Sequence, residues 1–404
     1  MKYLIVVPDG AADDPVEKLD GKTPLEVADM PNITKLAQNG EVGLVKTIPV
    51  GVAPGSDAAN LAVLGYNPAT DLTGRSPLEA VSMGIDMTFD DVAFRTNIVT
   101  LQAPDGSFNA DIPYEELTII DHSAGDISNE EAAVLIEAID QVLGSGDPNS
   151  VGDLKYYPGV SYRHALIAKG GLDTSDFKLN PPHDHLDKVI GEFLPSGNGT
   201  AFIYDMMKES YDILKDHPVN VARIAAGKNP ANSIWIWGQG TKPQLESFTA
   251  KFDVTGSVIS AVDLIKGIGI CAGLESIDVA GVTGTIHTNY KGKADAAIEA
   301  FELGKDLAYI HVEAPDECSH QGQLEEKIEA MHLIDTKVIA PVIAYLDNTG
   351  DDYKVLIVPD HRTPVLMRTH TSEPVPFVVY DSRVQVRNEA HAFNEVSGAT
   401  GNSY

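Results

Sequence analysis

Residues 355–364 read VLIVPDHRTP, and residues 3–10 read YLIVVPDG. Each begins as a continuous apolar run, breaks at Val-Pro and delivers an aspartate; at Asp360 a histidine follows directly. A short unbroken run of β-type residues is what a parallel strand covered on both faces requires. In open α/β sheets, functional groups gather at the carboxyl ends of such strands. Two strands some 350 residues apart, each handing over a carboxylate, predict one sheet assembled from both ends of the chain.

Working outward, strand and helix alternate near each terminus. MPNITKLAQNG (Met30–Gly40) reads as a helix with Asn32 near its start and Gly40 as its stop. VGLVKTIP (Val42–Pro49) reads as a strand, and PGSDAANLAVLGY (Pro54–Tyr66) as a Gly-Ser turn opening a helix. After about residue 88 shorter strands and turns take over, around a helix with Ser128 as N-cap and Glu131 completing a capping box. From about residue 245 the alternation returns: GKADAAIEAFELG is a helix, LAYIHVEAPD (Leu307–Asp316) a strand with an acidic end, and EEKIEAMHLIDTKVIAPVIAYL one long helix. The expectation is an α/β chain. Residues 1–88 and 245–404 form a mostly parallel sheet with flanking helices, interrupted by an inserted α+β domain at 89–244. A length of 404 residues agrees with two domains.

Composition narrows the function. Lys and Arg number 29 against 59 Asp and Glu, a net charge of −30. That argues against nucleic acid or an anionic membrane as partner, since both need basic surface. An anionic substrate must then find local cations. With two cysteines, Cys271 and Cys318, no disulfide framework follows. The N-terminal apolar run is too short for a signal peptide, and none approaches the roughly 20 residues of a membrane helix; a cytoplasmic location is expected. GSGDPN (Gly144–Asn149) lacks the Lys-Ser/Thr of a phosphate loop and reads as a helix-ending turn. Oligomeric state leaves no mark in the pattern.

Four places put ligand-type residues just after a strand or in an adjacent turn: Asp9; Ser56-Asp57; Asp316 with His320; and Asp360-His361 with His370. Mixed Asp/His sets suit borderline divalent cations such as Mn²⁺ or Zn²⁺. Asp316 and His320, four apart, share one face of a helical turn, so Cys318 between them is not counted. Ser56 is the nucleophile candidate, at a helix N-terminus whose free N–H groups favour phosphate. Singly, each feature is weak, because a strand-end aspartate is an ordinary turn or cap residue. The set, in this order, is not. His332 reads as a surface or packing residue.

With these motifs in view the sequence resembles the alkaline phosphatase superfamily, and within it the archaeal-type branch of the 2,3-bisphosphoglycerate-independent phosphoglycerate mutases. The resemblance rests on VVPDGAAD, PGSDAANLAVLGY, GRSPLEA, APDECSHQG, VPDHRTP and HTSEPVPF. YRHAL, PPHDH, IWIWGQG and HTNYKGKADAA extend it over nearly the whole chain. It implies two divalent cations, Mn²⁺ first and Zn²⁺ or Mg²⁺ as alternatives. Asp9, Ser56, Asp360 and His361 would hold one; Asp316, His320 and His370 would hold the other. Ser56 would carry the phosphoryl group between positions of a small phosphorylated acid, with no 2,3-bisphosphoglycerate. The inserted domain would act as a lid and supply groups for the anion: Arg163 first, then Arg95, His122, His183 and Arg223. In the core, Lys291 or Lys293 could reach the phosphate. Arg95 reads equally as an exposed charge on an edge strand. One departure matters: GRSPLEA at Gly74–Ala80 stands where clear archaeal-type members have GRGPFEA. That variant resembles a bacterial subgroup proposed as homoserine kinases, so a phosphotransferase on another small alcohol, or a phosphatase of the same superfamily, is the alternative.

Overall fold

The computed structural model describes residues 1–144, 153–384, 386 and 391–404; the turn expected at Gly144–Asn149 lies, beyond Gly144, outside the described residues. The strands are Lys2–Pro8 (β1), Glu41–Val45 (β2), Val92–Gln102 (β3), Thr118–Asp121 (β4), Leu154–Tyr157 (β5), Arg163–Ala168 (β6), Lys188–Val189 (β7), Ser233–Thr241 (β8), Gly256–Ile259 (β9), Glu275–Ser276 (β10), Leu307–Val312 (β11), Tyr353–Ile357 (β12), Val375–Asp381 (β13) and Asn402–Ser403 (β14). They fall into two units, Met1–Leu72 with Gln244–Tyr404, and Thr73–Pro243.

In the first unit the order is β10-β9-β11-β1-β12-β13-β2-β14. The five strands from β10 to β12 are mutually parallel; β13 runs antiparallel to both its neighbours. The strands of the opening quotation are therefore adjacent, with Val6 beside Ile357. On the other side of β1 lies β11, every residue of which is buried. Each large aliphatic side chain so covered contributes about 1.5–3 kcal/mol, which explains why unbroken apolar runs mark these strands.

The second unit is an antiparallel sheet, β5-β6-β3-β4-β7 with β8 also on β3, packed against the Asn129–Leu143 and Ala201–Leu214 helices. It begins at Thr73, earlier than the change of pattern at 88 indicates. The Ser76–Ser82 helix belongs with it, because Ser76 donates to the Gly238 carbonyl on β8 and Glu79 pairs with Arg95 on β3.

Several local expectations shift. The helix read at Met30–Gly40 is Pro31–Asn39, with Asn32 in its first turn; the carboxylate of Asp335 accepts the Asn32 and Ile33 N–H groups. The expected long helix is interrupted by a π-helical turn, Ile334–Ile339, that carries this Asp335. It precedes Pro341, which has no N–H for the regular ladder. Ser128 caps its helix through the Glu131 N–H, but the Glu131 carboxylate turns to Arg223. The second strand stops at Val45 rather than Pro49, and β11 stops at Val312, leaving Asp316 in the following Ala314–Gln321 helix.

A buried ion pair ties the loops after β1 and β12 together. Lys327 Nζ donates to Asp13 Oδ2 at 2.7 Å and to the Thr363 carbonyl at 3.0 Å; Asp13 Oδ2 also accepts the Val365 N–H at 3.0 Å. Both side chains are essentially inaccessible, at 0% and 1% exposure. Removing one partner strands the other charge, a loss of about 3–5 kcal/mol. Lys327→Met is expected to destabilise by that amount in urea unfolding, with the double variant Asp13→Asn/Lys327→Met recovering part of it. A Lys327→Met loss below about 1 kcal/mol would show that the pair does not hold the loops.

Candidate metal centre and active site

Three adjacent strand ends, those of β11, β1 and β12, bring Asp316, Asp9 and Asp360 to one place. Gly10 makes the turn after β1 with φ +60°; a Cβ there would lie 2.5 Å from Asp316 Oδ1 and 2.6 Å from Thr363 Oγ1. The position requires glycine both for its left-handed backbone and for this close approach. The Gly10 N–H donates to Asp360 Oδ1 at 3.1 Å. Gly55 before Ser56 has φ 177°, extended backbone open to any residue, so the expected tight Gly-Ser turn is not what places the serine.

Ser56 is the first residue of the Ser56–Val63 helix. Its Oγ lies 3.2 Å from His361 Nε2. That nitrogen is 3.5 Å from Asp9 Oδ1 and 3.5 Å from Asp360 Oδ2. Asp9 Oδ1 is buried and has no hydrogen-bond partner. Beside this group, His320 Nε2 and His370 Nε2 are 3.0 Å apart and lie 3.2 and 3.4 Å from the two oxygens of Asp316. The second set is joined to the first, because Asp9, Asp316 and His361 place ligand atoms within 4.8 Å of one another. All seven residues expected to hold cations thus converge as two linked clusters, and Cys318, buried, joins neither.

Hydrogen bonds set the ring tautomers. Thr363 Oγ1 bonds Asp316 Oδ1 at 2.5 Å and His361 Nδ1 at 3.2 Å. A carboxylate only accepts, so the single hydroxyl proton goes to Asp316 and the oxygen accepts from Nδ1–H. The lone pair of His361 is then on Nε2, toward Ser56 and Asp9. His320 Nδ1 donates to the Arg368 carbonyl at 3.0 Å, which aims its Nε2 at Asp316. Such outer contacts orient ligands at metal sites generally.

Electrostatics make the crowding explicit. Burial, then the Asp360 and Asp316 carboxylates, raise the Asp9 carboxyl well above its usual range. Burial acts against ionised Asp316 and Asp360 too, but neighbouring histidines hold both below the ordinary range. The bond to Asp316 pushes His320 up to about 9. Three buried carboxylates with imidazoles between them, one oxygen left unpartnered, fit divalent cations by charge and by donor type. In chelator-treated protein, proton-detected NMR is expected to find His320 titrating near pH 9; a midpoint near the ordinary 6.5 would contradict this pairing.

Three residues were not singled out from the sequence. Asn60, four residues beyond Ser56 on its helix, donates to the Ser56 carbonyl at 2.8 Å and to Asp360 Oδ2 at 2.9 Å, and accepts from Tyr309 on β11. The i, i+4 spacing from Ser56 was its only signal. Thr363 sits two residues past His361. His311, fully buried on β11, faces Asp9 with Nε2 3.0 Å from Oδ2. It reads in sequence as part of an apolar strand.

The anion-binding candidates divide. In the second unit Arg163 lies 4.7 Å over the Tyr162 ring, Tyr162 packs on His122, His122 on His183, His183 on Trp237, and Arg95 lies 4.9 Å from Trp237. Four of the five insert candidates therefore share one cluster. Arg95 is on a central strand, not an edge, and is paired with Glu79. Arg223 is elsewhere: buried, its guanidinium serves Glu131 and the Ala124 and Asn229 carbonyls. Lys291 is an exposed partner of Asp295. Lys293 is buried, donates to the His311 carbonyl at 2.9 Å, and is pushed down to about 8 by burial. His332 is a partly exposed residue bonded to the Asp29 carbonyl. Among the described residues no helix is long and apolar enough to cross a membrane.

Known proteins resemble this chain along nearly its whole length. Residues 37–220 match the family model described as 2,3-bisphosphoglycerate-independent phosphoglycerate mutase. The enzyme of that name from Methanosarcina barkeri is 46% identical over 99% of this chain and 96% of its own length. The one from Methanosarcina mazei is 44% identical over the same shares. A solved structure, the cofactor-independent phosphoglycerate mutase from Thermoplasma acidophilum, superposes with a TM-score of 0.65 at 26% identity, covering 100% of this chain and 95% of that one. At such identity along almost its entire length, the chain belongs to the family of 2,3-bisphosphoglycerate-independent phosphoglycerate mutases.

Proposed function

We propose that this protein interconverts 3-phosphoglycerate and 2-phosphoglycerate through a phosphoserine at Ser56, with two divalent cations, Mn²⁺ first, and without 2,3-bisphosphoglycerate. The observation that carries the reading is the position of Ser56 Oγ, at a helix start and 3.2 Å from His361 Nε2 within the Asp9–Asp360 cluster. Asp9, Ser56, Asp360 and His361 would hold one cation, and Asp316, His320 and His370 the other. Bound cations neutralise phosphoryl charge and favour the ionised serine.

Ser56 Oγ attacks phosphorus, the bond from phosphorus to the 3-oxygen breaks, and the serine proton ends on the released hydroxyl. Glycerate then turns, its 2-hydroxyl attacks the phosphoserine, and the proton returns to Ser56. Helix N–H groups beside Ser56 suit the phosphoryl oxygens. Glycerate must be retained and water excluded between the two transfers; we assign that task, and recognition of the carboxylate, to the second unit with Arg163, His122, His183 and Arg95. Arginine suits a carboxylate through paired N–H donors.

The GRSPLEA variant does not favour the homoserine reading. Ser76 and Leu78 are both buried, with Ser76 bonded to a backbone carbonyl of its own unit, and relatives 44–46% identical along the chain carry the mutase name.

Phosphorus NMR on Mn²⁺-loaded protein with 3-phosphoglycerate and no bisphosphoglycerate is expected to show 2-phosphoglycerate without inorganic phosphate. Ser56→Ala should lower turnover by more than about 10³-fold while leaving the thermal transition intact. Inorganic phosphate alone would make the protein a phosphatase, and full activity in Ser56→Ala would end the phosphoserine route. Arg163→Ala is expected to raise KM by about tenfold to a hundredfold, more than it lowers kcat, as for a lost charge-assisted hydrogen bond; unchanged steady-state constants would remove Arg163 from the anion site.

A further inference from the structure

Tyr309 and His311 sit two apart on β11 and so project from the same face of the strand. Tyr309 holds Asn60, which holds Asp360. His311 stands in the corresponding relation to Asp9. In register it pairs with Val7, two residues before Asp9. The ring is completely buried, and the metal-binding reading above gives it no task.

Its proton can be placed. Ser260 Oγ lies 3.2 Å from His311 Nδ1 and accepts the Val262 N–H at 3.0 Å. The hydroxyl can donate its proton to Nδ1, and the carboxylate facing Nε2, which only accepts, favours the ring proton on Nε2. Nε2 is 3.0 Å from Asp9 Oδ2. It makes no straight hydrogen bond; rather, one ring nitrogen and an oxygen from each of Asp9 and Asp360 lie within 4.8 Å of one another. A neutral ring carrying its proton at Nε2 has no lone pair there for a cation. It has an N–H to set against carboxylate charge. The Lys293 ammonium on the His311 carbonyl fixes the backbone at the same residue.

We propose that His311 is a positioning residue for Asp9: its Nε2 edge lies 3.0 Å from Oδ2 and sets an N–H dipole against that oxygen, so that Oδ1, the unpartnered oxygen beside His361, is the atom presented to the cation. A proton donated by Ser260 to Nδ1 supports the tautomer that makes this possible. The inference rests on the two-cation reading.

Calorimetric titration of metal-stripped protein with Mn²⁺ tests it. Wild type is expected to take up two ions per chain. His311→Leu should weaken one of them by about 10–100-fold, the usual effect of losing an outer partner, and leave the other unchanged. His311→Gln, whose amide N–H reaches the same place, should restore most of the affinity. Ser260→Ala should weaken the same ion by a smaller factor. If His311→Leu does not fold, the glutamine and Ser260 variants decide. Wild-type affinity in His311→Leu or in Ser260→Ala, a glutamine variant that binds no better than leucine, or three ions in wild type, which would make His311 a ligand, would each overturn the proposal. A wild type that takes up no divalent cation would overturn the two-cation reading itself.

Discussion

Three carboxylates cannot share one buried space without positive charge between them, and this constraint organises the first unit. Asp316, Asp9 and Asp360 follow β11, β1 and β12, which lie side by side. All three are nearly inaccessible. Burial of a charge costs several kcal/mol unless it is compensated. The compensation within the chain is partial: His320, His361 and His370 stand among the oxygens, and Asp9 is still driven toward its protonated form. Divalent cations would complete it. In the reading proposed above, the same arrangement that is expensive alone would serve as a preformed receptor for metal, and by extension for a phosphoryl group.

The supporting contacts follow from holding that arrangement still. Gly10 is a glycine because Asp316 and Thr363 crowd the place of its side chain. Thr363 uses its one proton on Asp316 and thereby leaves the His361 lone pair facing Ser56. Asn60 fastens the serine helix to Asp360. Behind them, Lys327 and Asp13 join the loops that carry these residues. Each is a short polar link between segments far apart in sequence, and together they fix side chains that sheet geometry alone would only bring near one another.

Much of this could be read from the sequence, and the division has a physical basis. Unbroken apolar runs ending in Val-Pro-Asp identify covered parallel strands and two of their carboxylate ends; the other ligand-type residues come from motifs around Ser56, Asp316 and His370, and their grouping from the family resemblance. Residues whose work depends on a distant partner could not be read. His311 is hidden in a strand whose other residues are mostly apolar, and Asp335 caps a helix some 300 positions away. The start of the second unit was misplaced because the Ser76–Ser82 helix has an ordinary helical pattern; only its bonds to β3 and β8 assign it. Arg95 and Arg223 show the same limit in reverse. Both are arginines set among largely apolar neighbours in sequence, yet one is in the aromatic and histidine cluster and the other is a buried structural link.

The central claim is that the crowded strand ends are a two-cation site. Crystals grown with Mn²⁺ and measured at the manganese absorption edge test it most directly. The account predicts two anomalous peaks in the first unit, one among Asp9, Ser56, Asp360 and His361, the other among Asp316, His320 and His370. A single peak, or manganese bound away from these residues while the carboxylates stay as they are, would contradict it.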